Sequence, residues 1–375
     1  MRILHFLTNI DTGGAEKFCV DICNTQTDIS DNEIYICVLD SISENQPLAK
    51  MVSPKVTLIS LNKEGGYSLK MFYKIYKILS KLKPDIIHFH SRDLIYASLS
   101  ILIKRIPSVY TVHTMANKQF NKYFRSYMKF LFNTFPSFFT PVAISKSVRE
   151  SVQKTYGKHL NAYIFNGSSE LNLTHESDNV SREINLLKKD ENTLVFVSVG
   201  RIAREKNTLL LVKAVNALLD NSKNVCLCIV GYDGRKDQNY INKCKKENRY
   251  PERIKFVGRK ENIADYLYPA DALCLTSNYE GLGIAALEAF SMGVPVLSTP
   301  SGGPSDIIVP GLNGYISKEI TVESYIEVLN RFIEKPLKNR EKIIEIYQDK
   351  YTMKRCALQY LALYRSRYEE QSDPE

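Results

Sequence analysis

Short runs of apolar, mostly β-branched residues alternate along the first half of the chain with longer segments whose apolar residues recur at helical spacing. The short runs predict strands at Ile3–Thr8, Ile34–Leu39, Val56–Leu61, Ile86–His90, Val109–His113, Phe138–Ile144 and Tyr163–Phe165. The longer segments predict helices, among them Glu16–Asn24, Leu69–Lys81, Tyr96–Lys104 and Lys146–Tyr156. This alternation is typical of a parallel sheet with right-handed crossovers.

The same alternation starts again in the second half. Strands are predicted there at Leu194–Gly200, Val225–Gly231, Ile254–Val257, Ala272–Thr276 and Val294–Ser298. Residues 166–190 lie between the halves and are polar, without a strong apolar period, which is typical of a linker. We therefore expect a Rossmann-like N-terminal domain (1–168), a linker (169–190), a Rossmann-like C-terminal domain (191–352) and a final segment (353–375).

The expected fold class is α/β, with the two domains facing each other across a central cleft. In open sheets of this kind, ligands bind outside the carboxyl ends of the strands. A length of 375 residues agrees with two domains, because it is two to three times the usual size of one.

The composition, with 44% hydrophobic and 24% charged residues, excludes disordered and fibrous classes. No apolar run approaches the roughly 20 residues of a membrane-spanning helix, and the first strand follows without a signal-peptide core. The eight cysteines form neither a CxxC pair nor a metal-ligand spacing. We therefore expect a cytoplasmic protein with reduced, buried thiols.

The net charge of +9 is concentrated in one part of the chain. Residues 51–168 contain 18 Lys and Arg residues against four Asp and Glu residues, whereas residues 169–375 contain 29 of each kind. Such a concentration indicates an anionic partner: nucleic acid, an acidic membrane surface or a phosphorylated substrate.

A predicted helix in this basic region, Asn117–Phe135, separates basic from aromatic side chains. Its basic residues recur at spacings that place them on one face: Lys118, Lys122, Arg125 and Lys129. The opposite face holds Phe120, Tyr123, Phe124, Tyr127, Phe130 and Leu131. Either the aromatic face packs in the core and the basic residues are merely solvated, or the helix lies near anionic headgroups or a lipid-linked acceptor. The two interpretations are compatible.

Two adjacent glycines, Gly13 and Gly14, follow the first predicted strand and precede a helix. Glycines let a backbone approach a ligand closely, and a helix N-terminus offers free N–H groups to an anion. A tight structural turn explains the pair equally well, and the dinucleotide pattern GxGxxG is absent.

A basic pair follows the first strand of the second half, which ends at Gly200. Arg201 and Lys206 lie between this strand and the next predicted helix, where ligands bind in open sheets. An arginine fork and a lysine point charge suit a diphosphate. For a basic pair on such a loop, solvated surface charge is the more common outcome, so further motifs must decide.

A second strand end in this half combines a glycine turn with two carboxylates. The strand Ala272–Thr276 leads through Glu280 and the turn Gly281–Gly283 to an apolar helix that starts at Ile284. Backbone amides at such a turn form an anion site. Glu288 falls on the apolar helix, where a carboxylate needs a partner, and either a ribose diol or a salt bridge within the domain would supply one.

Five elements occur in one order: Gly13-Gly14-Ala15-Glu16, Gly200-Arg201 with Lys206, Glu280 with Glu288, Gly293-Val294-Pro295-Val296, and Ser301-Gly302-Gly303. In this order they resemble the retaining family 4 glycosyltransferases of GT-B fold (glycosyl transferases group 1), of the bacterial surface-polysaccharide type. The resemblance spans nearly the whole chain. The chain departs from the family pattern at Asp306, where Glu is more frequent, at Gly283, where proline is frequent, and at Thr114, where many relatives have His or Gly.

The resemblance implies roles for individual residues. The implied catalytic residues are His113 near the donor sugar, Arg201 and Lys206 on the diphosphate, and Glu280 on the donor sugar hydroxyls. The implied donor-binding residues are Gly13, Gly14, Gly200, Gly258, Arg259, Gly281, Leu282, Gly283, Ile284 and Glu288. Among these, Glu288 would hold the ribose and the turn at Gly258 would hold the base. The segment after Met353 would form a helix that crosses back to the N-terminal domain.

The implied reaction is retaining transfer of a hexose-type sugar from a nucleotide diphosphate sugar, preferably a UDP-sugar. The acceptor would be a saccharide or a lipid-pyrophosphate-linked saccharide in surface polysaccharide biosynthesis, at the inner membrane face. No Asp-x-Asp pair follows an apolar strand, so we expect no metal and no other cofactor.

Two alternatives stay open. A sugar-nucleotide epimerase of the same fold would use the donor without any acceptor. A basic non-enzymatic protein would bind nucleic acid, but no helix-turn-helix, zinc-finger or RNA-stacking signature accompanies the charge, so we expect no nucleic-acid partner.

Overall fold

The computed structural model describes residues 1–11, 13–43, 45–231 and 237–372. Within these residues the chain divides into two compact units. The first contains Met1–Ser169 together with the chain from Tyr351 onward, and the second contains Glu170–Lys350. Each unit has its own parallel sheet and hydrophobic core, which confirms the predicted α/β class.

Six parallel strands form the sheet of the first unit. They are β1 (Arg2–Leu7), β2 (Glu33–Asp40), β3 (Thr57–Lys63), β4 (Ile86–Phe89), β5 (Ser108–Val112) and β6 (Phe139–Ala143), in the spatial order β3-β2-β1-β4-β5-β6. Near the centre, Ile3 of β1 pairs with Ile34 on one side and Ile86 on the other. This doubly wound order brings the carboxyl ends of all six strands to one edge of the sheet.

The helices in the N-terminal part of the first unit are α1 (Gly14–Ile29), α2 (Pro47–Lys50), α3 (Lys70–Leu82), α4 (Leu94–Lys104), α5 (Ala116–Gln119), α6 (Lys122–Thr134) and α7 (Lys146–Thr155). β4, β5 and β6 are buried along their whole length, as apolar strands covered on both faces should be. The predicted strand Tyr163–Phe165 is wrong: Tyr163 forms only an isolated bridge to Ala143, because the sheet already ends at β6.

The predicted basic helix over Asn117–Phe135 is divided in two. Phe120 has an extended backbone, and Asn121 caps α6 by accepting a hydrogen bond from the backbone N–H of Phe124. Lys118 therefore lies on α5, while the other basic residues of the predicted face lie on α6. The prediction of four basic residues on one helix is wrong, because an asparagine that can cap a helix starts a new one here.

The aromatic side of α6 is only partly buried. Tyr123 and Phe130 are 87% and 55% exposed, whereas Leu131 is buried. Lys122 and Lys129 are exposed on the same helix. The aromatic residues were predicted to lie opposite the basic ones, but α6 presents both kinds of side chain to solvent.

The second unit repeats the doubly wound topology. Its strands are β7 (Leu194–Val199), β8 (Val225–Val230), β9 (Ile254–Gly258), β10 (Ala272–Leu275), β11 (Val296–Ser298) and β12 (Gly314–Ile316), in the order β12-β11-β10-β7-β8-β9. All neighbours are parallel, so the loops after β7 and β10 meet at the carboxyl edge of the sheet. The sequence pattern missed β12, which is only three residues long.

The helices of the second unit are α8 (Ser177–Asn185), α9 (Thr208–Asp220), α10 (Gln238–Glu247), α11 (Ile263–Leu267), α12 (Ile284–Ser291), α13 (Gly303–Ile307), α14 (Val322–Glu334) and α15 (Arg340–Lys350). The predicted linker, 169–190, contains α8. Val180 and Ile184 of α8 are buried, and the backbone N–H of Thr174 donates to Asp265 at 2.9 Å. Much of that segment is therefore an ordered part of the second unit.

The last helix, α16 (Met353–Ser372), belongs to the first unit and packs against α1. Its buried residues Met353, Cys356, Tyr360 and Tyr364 join the apolar core of that unit. All eight cysteines are buried with free thiols, as expected. In the part of the chain that the structure describes, no helix is both long and apolar enough to cross a bilayer.

Candidate active site

Two strand-end loops of the second unit are tied together at the carboxyl edge of the sheet. After β10, the side chain of Asn278 donates to the backbone oxygen of Arg204, and its backbone N–H donates to that of Glu205, both at 2.8 Å. The hydroxyl of Thr276 donates to the backbone oxygen of Lys206 at 3.1 Å. These bonds hold the loop after β7 against the loop after β10.

The tied loops bring Lys206 and Glu280 into a direct ion pair. The Glu280 carboxylate also accepts a hydrogen bond of 2.8 Å from the hydroxyl of Ser277. The Lys206 side chain passes close to Gly200, where an added Cβ would lie 3.9 Å from its Cε. Lys206 keeps 31% of its side chain exposed and Glu280 keeps 11%, so the pair is partly accessible. The structure thus brings together two residues predicted to contact the donor.

Arg201, the other predicted diphosphate ligand, pairs with Glu205 at 2.7 Å. Its side chain is 63% exposed, and exposed ion pairs contribute little free energy in water. An anion of higher charge can therefore replace Glu205 as the partner of the Arg201 guanidinium at a small cost in free energy.

The glycine turn before α12 is shaped by a third strand-end loop. Gly283 has a φ of +86° and begins the helix, and Leu282 is buried. The backbone N–H of Glu280 donates to the oxygen of Ser301 at 2.7 Å. Gly303 lies so close that an added Cβ would stand 2.1 Å from the oxygen of Gly281. This packing fixes the turn so that the first amides of α12, beginning at Ile284, point out of the helix end.

Glu288 is buried in the second turn of α12, as predicted. Its predicted role at the ribose stays a prediction. Gly258 ends β9 with a φ of +81°, and its oxygen accepts a hydrogen bond of 2.9 Å from the backbone N–H of Gly231. Arg259, which follows, is 3.7 Å from Glu261. Gly258 and Arg259 lie at the carboxyl end of β9 and Gly231 lies at that of β8, on the same edge of the sheet as Lys206.

In the first unit, Gly13 and Gly14 stand at the start of α1. Gly14 is the first helical residue, and the oxygen of Gly13 accepts a hydrogen bond of 2.9 Å from the N–H of Lys17. Thr12, just before them, lies outside the described residues. The glycines therefore present a helix N-terminus at the carboxyl end of β1.

His113 follows β5 and belongs to a cluster of histidines. His5 on β1 and His88 and His90 around the end of β4 are buried beside it, since β1, β4 and β5 are neighbours in the sheet. Burial lowers the pKa of His113 to about 3 and that of His5 to about 4, which keeps both rings neutral at pH 7. The other three histidines were not among the predicted site residues; each lies on a predicted strand, but only the order of the sheet makes those strands neighbours.

The first unit also contains a cavity of about 1130 Å³ at the carboxyl ends of β1 to β4. Its aromatic lining consists of Tyr67, Tyr96, Phe120 and Phe124. Its polar lining includes Arg92 and Asp93, and burial raises the pKa of Asp93 to about 6. Asp93 was not among the predicted site residues, although it follows the predicted strand Ile86–His90, whose carboxyl end lies at the ligand-binding edge of such a sheet.

One group of metal-ligand atoms occurs among the described residues. Ligand atoms of His5, Cys19 and His90 lie within 4.8 Å of one another. A hydrogen bond of 3.0 Å between the two histidines accounts for part of this proximity. The expectation that the protein uses no metal or other cofactor stays a prediction.

Two family models match the chain in succession. The model for Glycosyltransferase Family 4 matches residues 12–167, and the model for Glycosyl transferases group 1 matches residues 179–350. This chain is a family 4 glycosyltransferase. The match confirms the predicted family and favours it over the epimerase and nucleic-acid-binding alternatives.

Individual relatives agree with this assignment. The glycosyltransferase is 26% identical over 305 residues to an uncharacterized glycosyltransferase of Methanocaldococcus jannaschii, covering 74% of this chain and 73% of that one. It is 24% identical over 283 residues to the UDP-Gal:α-D-GlcNAc-diphosphoundecaprenol α-1,3-galactosyltransferase of Escherichia coli, covering 72% of each chain.

The solved structure of Anabaena HepE in complex with UDP and glucose is similar in fold. It matches this glycosyltransferase with a TM-score of 0.82 at 19% identity, covering 98% of this chain and 100% of that one. The predicted GT-B fold of the glycosyltransferase is thereby confirmed.

Proposed function

We propose that this glycosyltransferase moves a hexose-type sugar from a UDP-sugar, with retention of configuration and without a metal. The acceptor is a saccharide or a lipid-pyrophosphate-linked saccharide in surface polysaccharide biosynthesis. The observation that carries the proposal is the partly exposed Lys206–Glu280 pair beside the glycine turn of α12. Relatives support the choice: HepE was crystallised with UDP and glucose, and the E. coli relative is named for UDP-Gal and a diphosphoundecaprenol-linked sugar.

A donor diphosphate competes with Glu280 for Lys206. It carries more negative charge than one carboxylate, and the first amides of α12 offer it further hydrogen bonds. Once the diphosphate holds Lys206, Glu280 keeps the bond from Ser277 and turns its free oxygen to the sugar hydroxyls. The Lys206–Glu280 ion pair therefore belongs to the enzyme without donor, and donor binding replaces it with a contact between Lys206 and the diphosphate.

The same groups stabilise the transition state. The bond between the anomeric carbon and the diphosphate oxygen breaks, and negative charge grows on the departing UDP. Lys206, Arg201 and the α12 amides stabilise that charge, and such stabilisation is worth several kcal/mol where water is excluded. The acceptor hydroxyl oxygen forms the new glycosidic bond, and its proton passes to the leaving phosphate.

Other residues hold the parts of the donor that do not react. Buried Glu288 accepts hydrogen bonds from the ribose hydroxyls, and the turn at Gly258 and Arg259 meets the base. His113 contributes to the recognition of the donor sugar. These roles, retention and metal independence come from the family resemblance.

The cavity of the first unit is the proposed acceptor site. Aromatic faces such as Tyr67 and Phe124 stack on the apolar faces of sugar rings, while Arg92 and Asp93 supply polar contacts. An arginine also suits a pyrophosphate linked to a lipid.

Helix α6 supports contact with an anionic membrane. Exposed Tyr123 and Phe130 beside Lys122 and Lys129 combine an aromatic anchor with a basic surface, as membrane-surface helices do. Such contact would bring a lipid-linked acceptor to the enzyme at the inner membrane face.

A panel of nucleotide sugars tests the proposal. Each UDP-, GDP- and ADP-hexose is incubated with the enzyme, with and without a lipid-pyrophosphate-linked saccharide and after treatment with EDTA. We expect UDP release with one UDP-hexose, stimulated by the acceptor, insensitive to EDTA and yielding an α-linked product from an α-donor. Epimerised donor without UDP release, or release of UDP only when metal is added, would contradict it.

A further inference from the structure

A line of hydrogen bonds runs through the core of the first unit to His113. Nε2 of His113 lies 3.2 Å from Nδ1 of His90, whose Nε2 lies 3.0 Å from Nδ1 of His5. Nε2 of His5 lies 3.1 Å from Oε1 of Gln26 on α1. The side chains of Gln26, His5 and His90 are fully or almost fully buried. We name these four side chains the histidine relay.

Each ring of the histidine relay carries a single N–H group at pH 7. Burial holds the pKa of His90 well below its usual range, as it does for His5 and His113. A neutral imidazole donates from one nitrogen and accepts at the other. The tautomer of one ring therefore determines the tautomer of the next.

Gln26 is the buried end of the histidine relay and determines which nitrogen of each ring donates its proton. With the Gln26 amide oriented so that Oε1 faces His5, this oxygen can only accept, so His5 donates from Nε2 and accepts at Nδ1. His90 then donates from Nε2 to His5 and accepts at Nδ1 from Nε2 of His113. We propose that Gln26 is a positioning residue which, through His5 and His90, leaves Nδ1 of His113 unprotonated as a hydrogen-bond acceptor.

The other end of the relay is Nδ1 of His113. His113 is half-buried, and its Nδ1 has no hydrogen-bond partner in the described ranges of the chain. The consequence for catalysis rests on the proposed function, in which His113 recognises the donor sugar. An unprotonated nitrogen accepts a hydrogen bond from a sugar hydroxyl but has no proton for a carboxylate. The relay therefore favours a neutral hexose over a uronic acid at this position.

A second set of hydrogen bonds lies beside the relay and offers a matched control. Nε2 of His88 lies 2.6 Å from the hydroxyl of Thr111, which lies 2.8 Å from that of Tyr360. Nδ1 of His88 contacts the hydroxyl of Tyr364. Hydroxyl groups both donate and accept, so this set imposes no direction on His113. The variant Thr111→Val disrupts it without removing a member of the relay.

Nitrogen NMR of the histidine rings tests the tautomers directly. The protein contains only six histidines, so two-bond ¹H–¹⁵N correlation spectra of ¹⁵N-histidine-labelled full-length protein at pH 7 are simple, and His113→Asn identifies the His113 signals. We expect the wild type to show His5, His90 and His113 all protonated at Nε2. Thr111→Val preserves this state, whereas Gln26→Leu gives a mixture of tautomers at His113.

The outcome that overturns the inference is Nδ1–H on His113 in the wild type, as a rotated Gln26 amide would produce. An unchanged His113 tautomer in folded Gln26→Leu also overturns it. Where Gln26→Leu does not fold, the wild-type spectrum decides. In the transfer assay, Gln26→Leu should lower kcat/KM about tenfold, the worth of one hydrogen bond, whereas Thr111→Val should not lower it. The spectra need no substrate, so a failed transfer assay and a failed relay are separate results.

Discussion

Lys206 and Glu280 are 74 residues apart in sequence and form an ion pair that joins the loops after β7 and β10. Both residues were predicted to contact the donor, one at the diphosphate and one at the sugar. Under the proposed function, the donor diphosphate replaces Glu280 as the partner of Lys206, and this exchange can be tested from either side.

Removal of the cation should abolish most of the transfer. Lys206→Ala is expected to lower kcat by about a hundredfold or more, by analogy with the loss of one oxyanion donor. Steady-state UDP release measures the effect, and exposed Lys213 on α9 supplies the control Lys213→Ala, which should be unaffected. A near-normal kcat in a folded Lys206→Ala enzyme would contradict the proposed contact between Lys206 and the donor diphosphate.

Neutralising the carboxylate should separate binding from transfer. In Glu280→Gln, Lys206 no longer has a charged partner, so UDP should bind about fivefold more tightly, as the loss of a partly exposed ion pair of up to about 1 kcal/mol implies. Transfer should nevertheless fall, since the sugar loses its carboxylate. Titration calorimetry with UDP and kcat measure the two effects. Weaker UDP binding would show that Glu280 does not compete with the diphosphate.

A methyl group at Gly303 should displace the glycine turn. Its Cβ would stand 2.1 Å from the oxygen of Gly281, so Gly303→Ala should lower the free energy of unfolding by about 2 kcal/mol or more and weaken UDP binding. Gly65, around which a Cβ would meet nothing within 4 Å, provides the control Gly65→Ala. Urea denaturation compares the variants, and equal stabilities would contradict the close packing.

Asp93 should make stability depend on pH. Burial raises its pKa from 3.8 to about 6, so the folded protein binds a proton there more strongly than the unfolded chain. Ionisation of Asp93 therefore lowers the free energy of unfolding of the wild type increasingly as pH rises from about 4 to 6, and this loss is constant above pH 6. Asp93→Asn should therefore gain stability relative to the wild type over this range, by up to about 3 kcal/mol. Urea denaturation at several pH values measures this, with exposed Asp349→Asn as the control; a gap independent of pH would refute it.

The exposed surface of α6 should bind anionic membranes. Reversing Lys122 and Lys129 to Glu should weaken sedimentation with phosphatidylglycerol vesicles, most strongly at low salt. Tyr123→Ser should weaken it at all salt concentrations. Arg125 is left intact because its guanidinium bonds to the backbone oxygen of Asn117. Unchanged sedimentation of both variants would exclude this surface and leave the transfer activity untouched.

The sequence alone was enough to predict the fold class and the family. Apolar runs such as Ile86–His90 are short and continuous, so they indicate buried parallel strands without knowledge of their neighbours. Gly200 ends a predicted strand and Lys206, Glu280 and Gly283 follow predicted strands, and chain direction puts all strand ends of a parallel sheet on one edge. The order of these motifs along the chain identified the resemblance to the family.

Only the tertiary structure decided which side chains meet. The Lys206–Glu280 pair, the relay from Gln26 to His113 and the cavity around Asp93 each join residues from separate strand ends or helices, and spacing along a chain carries no information on such contacts. The break at Asn121, which moved Lys118 off α6, depended on a cap that helical periodicity alone did not reveal. The pattern of apolar residues predicts the secondary structure of a single segment, whereas side-chain contacts and protonation states depend on the other segments that the fold packs against it.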